Sequence, residues 1–423
     1  MSCSFTSTRL ISLFFLISIQ VIYGLVPQSR PAELVRELQS CFTPDQVLER
    51  VGSKLIDLDR YEASELSHIS RLILVRLSKQ WLSLDNQRLD YSDSDQEKSN
   101  VRWWTNHDEL SSCDQIDSIL QTVVRSLTQL SSSPDDPIVD ETVLDDIVEA
   151  TKAFSIIARL VPAISSSRTM LLEFWGQEGH RYVPSLESHQ VSGLYWALEN
   201  IIFSFNLHNE DRGQFQIPRS LKARWKELNL PFHVIPGFLN HIDSLSVQTL
   251  RDQVDFRVDE IRTVSNKFVR ERRQTSWEGD KGVGPFLYSD KAMPRQDWSP
   301  LVRQVRDALA NPALGHGQYY DCCLLNLYPD GGSGMRYHID PDQGTLWDFD
   351  TVVVSVGASR RFSFRRISED DNQEIHSFTV MHSDATYMFA DCQQQFQHTV
   401  KKAENKKEQS PRSSLVFKRS WGR

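Results

Sequence analysis

The sequence predicts a multidomain protein in which an all-α N-terminal region precedes a double-stranded β-helix (jelly-roll) domain with flanking helices. Two observations carry this prediction. Apolar residues recur at helical spacing through much of the chain before position 174, and short β-rich runs separated by turn residues follow Pro231. A chain of 423 residues is also longer than one ordinary domain.

The N-terminal helices are predicted from apolar side chains at broadly helical intervals over residues 32–84 and again over 112–172. The polar, acidic stretch 85–100 between them is interpreted as a solvated linker. Residues 40–51 faintly resemble residues 112–123, which leaves open either a helical repeat or chance similarity between amphipathic helices. We therefore assign residues 32–173 to a helical, possibly repeat-like region and residues 174–230 to a mixed connecting region.

The strands of the second domain are predicted where apolar and β-branched residues alternate between turn signals such as Pro329–Gly334. Strands closely spaced in this way favour a double-sheet barrel of the jelly-roll kind, whose faces alternate along each strand. The predicted strands are Cys322–Leu327, Thr351–Val356, Arg361–Phe364, Ile375–Val380, Thr386–Phe389, Phe396–Val400 and Ser413–Phe417.

Residues 1–24 are predicted to be a targeting segment. Arg9 precedes about fifteen apolar residues that end at Gly24, a length typical of a signal-peptide core and short for a membrane span. We therefore expect no stable membrane span in the mature chain. The segment indicates entry to the secretory pathway, or two-step import into an organelle such as a plastid. A mis-assigned start codon and a signal anchor are the alternatives.

Charge and cysteine content restrict the possible partners. From Pro231 to Arg423, 25 Lys and Arg balance 25 Asp and Glu, so the net charge of −9 lies entirely in the part of the chain before Pro231. Any nucleic-acid binding must therefore use local basic patches, for which residues 262–273 and Lys401, Lys402, Lys406 and Lys407 are candidates. The six cysteines lack a framework spacing and are interpreted as free thiols without structural zinc.

A metal centre is predicted from His338 and Asp340. Residues i and i+2 of a strand point to the same face, so the imidazole and the carboxylate converge. Two histidines and one carboxylate are the facial triad that holds non-haem Fe(II) with open coordination positions. His398, on the strand 396–400, is the best downstream candidate for the third ligand, and His376 and His382 compete with it.

The residues around this pair resemble the AlkB family of Fe(II)- and 2-oxoglutarate-dependent dioxygenases. Asn326-Leu-Tyr328, a Gly-rich turn and His338-Ile-Asp340 match the family's Asn-x-Tyr and His-x-Asp motifs in order. Gly357 to Arg365 resembles its Gly–Arg–Phe–x–Phe–Arg segment, and Arg273 to Ser289 is similar to the segment that shapes its nucleobase lid. The resemblance covers a little under half of the chain and implies that 231–423 is the dioxygenase domain.

The resemblance also implies the co-substrate site. Arg412 would clamp the distal carboxylate of 2-oxoglutarate with its planar fork, and Asn326 and Tyr328 would hydrogen-bond the same molecule. Lys418 stands where the family has a second arginine, so its charge is retained but the bidentate geometry is lost. Because residues 412 and 418 share a strand face, we expect Lys418 to lie near Arg412 and to contribute to 2-oxoglutarate binding.

The function implied by the resemblance is oxidative demethylation of N-alkylated bases in DNA or RNA, with Fe(II), 2-oxoglutarate and O2. Asp342 would contact the base edge, Phe286 and Tyr288 could stack on a flipped base, and Arg273 belongs to the local basic stretch. An exposed turn for Asp342 and core positions for the two aromatic residues remain alternatives. Two rival functions are a protein or small-molecule hydroxylase or demethylase on this scaffold, and a helical RNA-binding adaptor whose oxygenase is vestigial.

Overall fold

The structure is a computed structural model that describes residues 46–47, 63–88, 110–128, 141–161, 164–208, 210, 215–262, 267–288, 291–312, 317–368, 374–404 and 409–421. The predicted targeting segment 1–24, and most of the first copy of the possible repeat, lie outside these residues. Among the helices described, none combines the length and the apolar character needed to cross a membrane.

Helices dominate the N-terminal half, and strands dominate the C-terminal half. The helices are α1 (Ala63–Arg88), α2 (Leu110–Thr128), α3 (Glu141–Leu160), α4 (Ser165–Tyr182), α5 (Ser188–Leu207), α6 (Arg219–Leu228), α7 (Val247–Gln253), α8 (Pro300–Ala310) and α9 (Cys392–Gln395). The strands are β1 (Phe232–Ile235), β2 (Glu260–Arg262), β3 (Phe268–Arg270), β4 (Gln274–Gly279), β5 (Phe286–Tyr288), β6 (Lys291–Met293), β7 (Cys322–Tyr328), β8 (Thr351–Gly357), β9 (Arg360–Arg366), β10 (Ile375–Val380), β11 (Ala385–Met388), β12 (Phe396–Val400) and β13 (Arg412–Lys418).

The first six helices share one apolar core, in which side chains from α1 to α6 pack together. Trp175 on α4 is fully buried and donates from its indole nitrogen to Thr151 on α3 over 3.1 Å. This core continues across positions 173 and 174, where the sequence analysis divides the helical region from the connecting region. Residues 174–230 are mainly helical and belong to the same bundle.

Two antiparallel sheets form the centre of the C-terminal domain, as expected for a jelly roll, and the pairs β2-β3 and β5-β6 form two further small sheets in the described residues. The larger has the order β1-β11-β8-β13-β7-β4, and the smaller has the order β10-β9-β12. The structure confirms each of the seven predicted strands, because the bounds observed for β7 to β13 agree with the predictions to within two residues. Both faces of the larger sheet are covered, which is why Cys322 and Cys323 are both buried although they point in opposite directions.

The helical bundle is joined to the larger sheet by a buried ion pair. Arg159 on α3 approaches Asp384, in the turn before β11, with 2.7 Å between Nη1 and Oδ1. The same carboxylate accepts hydrogen bonds from the amides of Gly237 and Met381, at 2.8 and 2.7 Å. Burial raises the pKa of Asp384, an effect that the charge of Arg159 opposes. The bundle is therefore an integral support of the sheet.

A second polar contact corrects the predicted linker. The structure continues α1 to Arg88, so the first residues of the stretch 85–100 are helical rather than linker. Asn86 is buried, and its side-chain oxygen accepts hydrogen bonds from the amide and hydroxyl of Ser359, at 2.8 and 2.9 Å. A polar residue in an acidic stretch is expected to be exposed to solvent. Asn86 is buried instead because it bonds Ser359, which is 273 residues later in the chain, and a local sequence pattern cannot reveal such a contact.

Removing the cation of this junction is expected to destabilise the protein. In Arg159→Met, Asp384 would remain buried without its cation, and breaking one half of a buried pair costs about 3–5 kcal/mol. Chemical denaturation measures the loss in the free energy of unfolding. The exposed pair Arg224–Glu227 is the control, since Arg224→Met should cost less than about 1 kcal/mol. Equal small losses in both variants would contradict a structural role for the junction.

Candidate metal centre and co-substrate site

His338 and His398 are brought together by a reciprocal backbone bridge. The amide of His338 donates to the carbonyl of His398 over 3.0 Å, and the amide of His398 donates back over 2.9 Å. Directly opposed residues of an antiparallel pair place their side chains on the same face. The two imidazole centroids are consequently 4.3 Å apart. The sequence around either histidine does not predict this pairing, because the two residues lie on segments that are far apart in the chain.

Asp340 completes a cluster whose potential ligand atoms all lie within 4.8 Å of one another. Its Oδ1 lies 3.7 Å from Nε2 of His338 and 3.8 Å from Nε2 of His398. The imidazole of His338 is oriented by the carbonyl of Arg336, 2.8 Å from Nδ1. A proton held on Nδ1 leaves Nε2 with a lone pair directed at the cluster. Two nitrogens and one carboxylate oxygen therefore face a common point.

The protonation of this cluster suits a cation. Burial, reinforced by His338, lowers the pKa of His398 to about 3 despite the opposing charge of Asp340, so this imidazole is neutral at physiological pH. Burial tends to raise the pKa of Asp340, but Lys418 and the two histidines outweigh it and hold this pKa well below its usual range. Neutral imidazoles and an ionised carboxylate are the forms that bind metal ions. The donor set fits Fe(II) in a facial triad.

The competing histidines are engaged elsewhere. His376 is buried with its Nδ1 2.7 Å from the hydroxyl of Ser192 and its Nε2 3.0 Å from the carboxylate of Glu374. Nδ1 of His382 accepts the amide hydrogen of Gly357 at 3.1 Å. Of the three candidates for the third ligand, only His398 joins His338 and Asp340 in the described residues.

Arg412 presents a buried cation suited to an anionic ligand. Its side chain is fully buried and its Nη2 bonds the hydroxyls of Ser355 and Ser414, each at 3.1 Å. In the described residues its Nε and Nη1 have no hydrogen-bond partner. Burial lowers the pKa of this guanidinium to about 10, so it remains charged. Burying a charged guanidinium whose N–H donors lack partners costs free energy unless an anion accepts their hydrogen bonds. A carboxylate can accept two parallel hydrogen bonds from a guanidinium.

Asn326 and Tyr328 lie on the same wall as Arg412. In the register of β7 with β13, Tyr328 is opposite Arg412 and Asn326 is opposite Ser414. Both residues line the pocket that contains the triad. These three side chains and the triad fit 2-oxoglutarate, an elongated dianion, with its distal carboxylate at Arg412.

The expectation that Lys418 lies near Arg412 is wrong. Its Nζ is 2.7 Å from Oδ2 of Asp340, and its side chain is fully buried. The predicted face was correct, but six residues of extended strand span about 20 Å, so the two cations occupy opposite ends of the wall. Lys418 neutralises the carboxylate oxygen that faces away from the histidines. Arg419 points elsewhere and pairs with Asp348.

Phe286 and Arg273 line the same pocket as the triad. Phe286 is buried, and its ring centroid lies 4.8 Å from that of Trp277 and 6.1 Å from that of Trp347. Phe286 is therefore a core residue that also lines the pocket. Arg273 is buried against Glu271, with 3.0 Å between Nε and Oε1. It is held rigidly as part of the wall.

Two residues proposed for substrate contact are not brought to this pocket by the described geometry. Asp342 is exposed in a turn, does not line the pocket, and has a φ of 63°, in the left-handed region. Its carbonyl accepts hydrogen bonds from the amides of Thr345, Leu346 and Trp347. The exposed-turn alternative therefore describes its position. Tyr288 lies on β5, and its side chain is outside the described residues.

Two further residues, Gln393 and Phe362, support the cluster and are not among the predicted site residues. Gln393 on α9 accepts a hydrogen bond from the backbone amide of Asp340 over 3.0 Å and so fixes the backbone of that residue. Phe362 stacks on the imidazole of His398, with centroids 5.7 Å apart. The alternation Arg361-Phe362-Ser-Phe364 could have indicated that Phe362 faces inward. No local pattern indicates Gln393.

Comparisons with known proteins agree with this geometry. Residues 231–418 match the 2OG-Fe(II) oxygenase superfamily. The DNA oxidative demethylase ALKBH2 of Bos taurus is 26% identical over 153 residues, which are 35% of this chain and 52% of that protein. ALKBH2 of Mus musculus is 30% identical over 94 residues, covering 22% of this chain and 37% of that protein. The chain thus spans about half, or less, of the curated relatives it matches.

A solved structure of OsALKBH1 aligns with 45% of this chain and 98% of that chain, at 18% identity and a TM-score of 0.30. The two-sheet fold, the His-Asp-His cluster and the superfamily match together define residues 231–418 as a 2OG-Fe(II) oxygenase domain. Members of this class use Fe(II), 2-oxoglutarate and O2. The ordered motifs and the curated relatives place this domain within the AlkB type.

Proposed function

We propose that this protein oxidatively demethylates N-alkylated bases in DNA or RNA. The observation that carries the proposal is a single pocket that joins the metal triad to aromatic and apolar walls, with Phe286, Met293 and Met335 among them. A mainly apolar pocket with an aromatic wall beside the reacting centre suits a base removed from its stack. The curated relatives are DNA oxidative demethylases, which supports the same substrate class.

Each group of the site has a defined task in this reaction. Bound iron, with 2-oxoglutarate and O2, supplies the oxidising power that hydroxylates an N-methyl group, after which formaldehyde is lost. His338, Asp340 and His398 would hold the metal, and Arg412 would orient 2-oxoglutarate by its distal carboxylate. Phe286 would limit the positions that a flat base can adopt, and thereby direct the methyl group toward the metal.

An exposed hairpin beside the pocket supports a nucleic-acid substrate. Strands β2 and β3 form an isolated two-stranded sheet, and Phe268 on β3 is 71% exposed. The chain runs from this hairpin directly into Arg273, which lines the pocket. An exposed aromatic ring among cations suits stacking on a base while phosphates are contacted. We infer that Phe268 stacks on the nucleic acid near the extruded base.

Removing this ring is expected to weaken turnover without affecting the fold. Stacking of one base on an aromatic side chain contributes about 1–3 kcal/mol, so Phe268→Ala should reduce kcat/KM on a methylated oligonucleotide about 5- to 150-fold. Ile367, which is 49% exposed and does not line the pocket, provides the control Ile367→Ala. Comparable losses in the two variants would show that Phe268 has no special contact.

A substrate screen tests the proposed function directly. Formaldehyde release is measured from 1-methyladenine and 3-methylcytosine in single- and double-stranded DNA and RNA, with His338→Ala as the inactive control. Release above this control on any of these substrates is the expected result. Turnover of 2-oxoglutarate without formaldehyde release from any of them would instead favour a protein or small-molecule substrate. If RNA is bound and 2-oxoglutarate is not turned over, the adaptor alternative gains support.

A further inference from the structure

A cleft of about 620 Å³ lies between the helical bundle and the smaller sheet. Helices α1, α3 and α5 form one side, and β9, β10 and the segment after β12 form the other. In the described residues, no side chain lines both this cleft and the metal pocket. The cleft lies where the bundle packs on the oxygenase domain, and it includes Lys401 and Lys402 of the predicted basic patch but no residue of the metal or co-substrate site.

The walls of the cleft are positively charged. Their described residues include two acids, Glu149 and Glu404, and six cations, Lys79, Lys152, Arg360, Arg361, Lys401 and Lys402. The chain as a whole has a net charge of −9. A concentration of cations within a cleft focuses the field there, while the remaining surface repels a polyanion. The cleft is therefore a localised site for a ligand with several negative charges.

The position of Glu404 shows how such a ligand would be held. Its carboxylate lies 3.0 Å from Nζ of Lys79, on the helical side, and 3.2 Å from Nη2 of Arg361, on the sheet side. An anionic group is thus already bound between the two walls. Glu404 is exposed, so this contact is open to exchange with another anion. Lys401 and Lys402 have no acidic partner among the residues described.

A row of cations extends from the cleft along the face of the smaller sheet that is turned away from the metal pocket. Lys401 lines the cleft, and its Nζ lies 5.9 Å from the ring centroid of Tyr337. The guanidinium of Arg365 covers the same ring at 4.2 Å. Tyr337 directly precedes the metal-ligand candidate His338. A row of cations therefore runs from the cleft, across β9 and β12, to Tyr337, which is next to His338 in the chain but does not line the metal pocket.

We propose that the cleft and this row bind the sugar-phosphate backbone of a single-stranded stretch of the nucleic-acid substrate. The proposal rests on the proposed function, since it extends the contact of a strand whose base enters the metal pocket. The cleft has the volume of a small-molecule site, which admits a strand but not a duplex. Apolar groups of Leu82, Ile156 and Phe378 between the cations suit the faces of unpaired bases.

An acidic protein segment is the competing ligand for the same charges. The extent of the cationic surface, which continues beyond the cleft to Arg365, favours a strand with a phosphate at each nucleotide. The two ligands differ in a measurable way. For a nucleic acid, the logarithm of the binding constant falls linearly with the logarithm of the salt concentration, because each phosphate contact releases counterions. This salt slope is about 0.7 for each phosphate of a single strand that the protein neutralises.

The test uses the full chain and an unmodified twelve-nucleotide single strand. Lys79→Glu combined with Lys402→Glu is expected to weaken binding at least about tenfold at low salt and to reduce the salt slope by about 1.4. Glu404→Gln should strengthen binding several-fold, because it removes the competing anion. Lys222→Glu combined with Lys226→Glu makes the same charge change at two exposed sites on α6, outside the cleft, and is the matched control.

The outcomes separate this proposal from the proposed function. Loss of binding in the Lys79→Glu, Lys402→Glu variant, with little loss in the Lys222→Glu, Lys226→Glu control, supports the cleft even if no methylated base is turned over. Demethylation accompanied by unchanged strand binding in the Lys79→Glu, Lys402→Glu variant overturns the cleft and leaves the proposed function intact. Equal losses in that variant and the control, or tighter cation-dependent binding of polyglutamate than of the strand, would also overturn the proposal.

Discussion

His398→Ala is expected to abolish 2-oxoglutarate turnover and to remove most of the affinity for Fe(II). The substitution leaves one imidazole and one carboxylate of the cluster, and a facial triad requires all three donors. The loss should be visible without catalysis. A metal that binds only the folded protein raises the melting temperature. We expect Fe(II), added anaerobically, to raise it for the native protein and not for His398→Ala.

The matched control for this experiment is His241→Ala, because His241 is an exposed histidine outside the pocket. It should retain both the turnover and the metal-dependent rise in melting temperature. His376→Ala is unsuitable as a control, since His376 is buried and hydrogen-bonded to Ser192 and Glu374. Substantial turnover by His398→Ala would show that the third ligand is assigned incorrectly.

Arg412→Met is expected to raise the apparent KM for 2-oxoglutarate by about 100-fold or more. Charge-assisted hydrogen bonds contribute about 1.5–3 kcal/mol each, and the forked pair at the distal carboxylate would be lost. The same change should not lower the free energy of unfolding in the absence of 2-oxoglutarate. Arg412 is a buried cation with two unpaired donor atoms, so an apolar side chain of similar length relieves a desolvation cost.

This combination of effects distinguishes a binding residue from a structural one. A titration of 2-oxoglutarate and a chemical denaturation, both on Arg412→Met, provide the two measurements. If the free energy of unfolding falls together with the affinity, Arg412 supports the fold instead.

Lys418→Met provides the contrast at the other end of the wall. Because Lys418 bonds Asp340, the main effect should be on Fe(II) affinity rather than on the KM for 2-oxoglutarate. A rise in that KM as large as the one caused by Arg412→Met would contradict the positions of the two cations.

The sequence by itself determined seven of the thirteen described strands. A period of two is a local property, so the pattern from 322 to 417 was sufficient to place β7 to β13, whereas the role of Arg412 came from the family resemblance. The same period placed His338 and Asp340 on one face, and the ordered motifs around them indicated the superfamily. These inferences succeeded because each depends on residues that are close together in the chain.

The tertiary structure alone decided which distant residues meet. The strand period fixes the face of Lys418 but not its neighbours, and the carboxylate it bonds lies 78 residues earlier in the chain. The choice of His398 over His376 required the backbone bridge to His338, and the pairing of Arg159 with Asp384 required the helices to pack on the sheet. Contacts of this kind depend on how packed elements are arranged in space, and a local pattern carries no information about that arrangement.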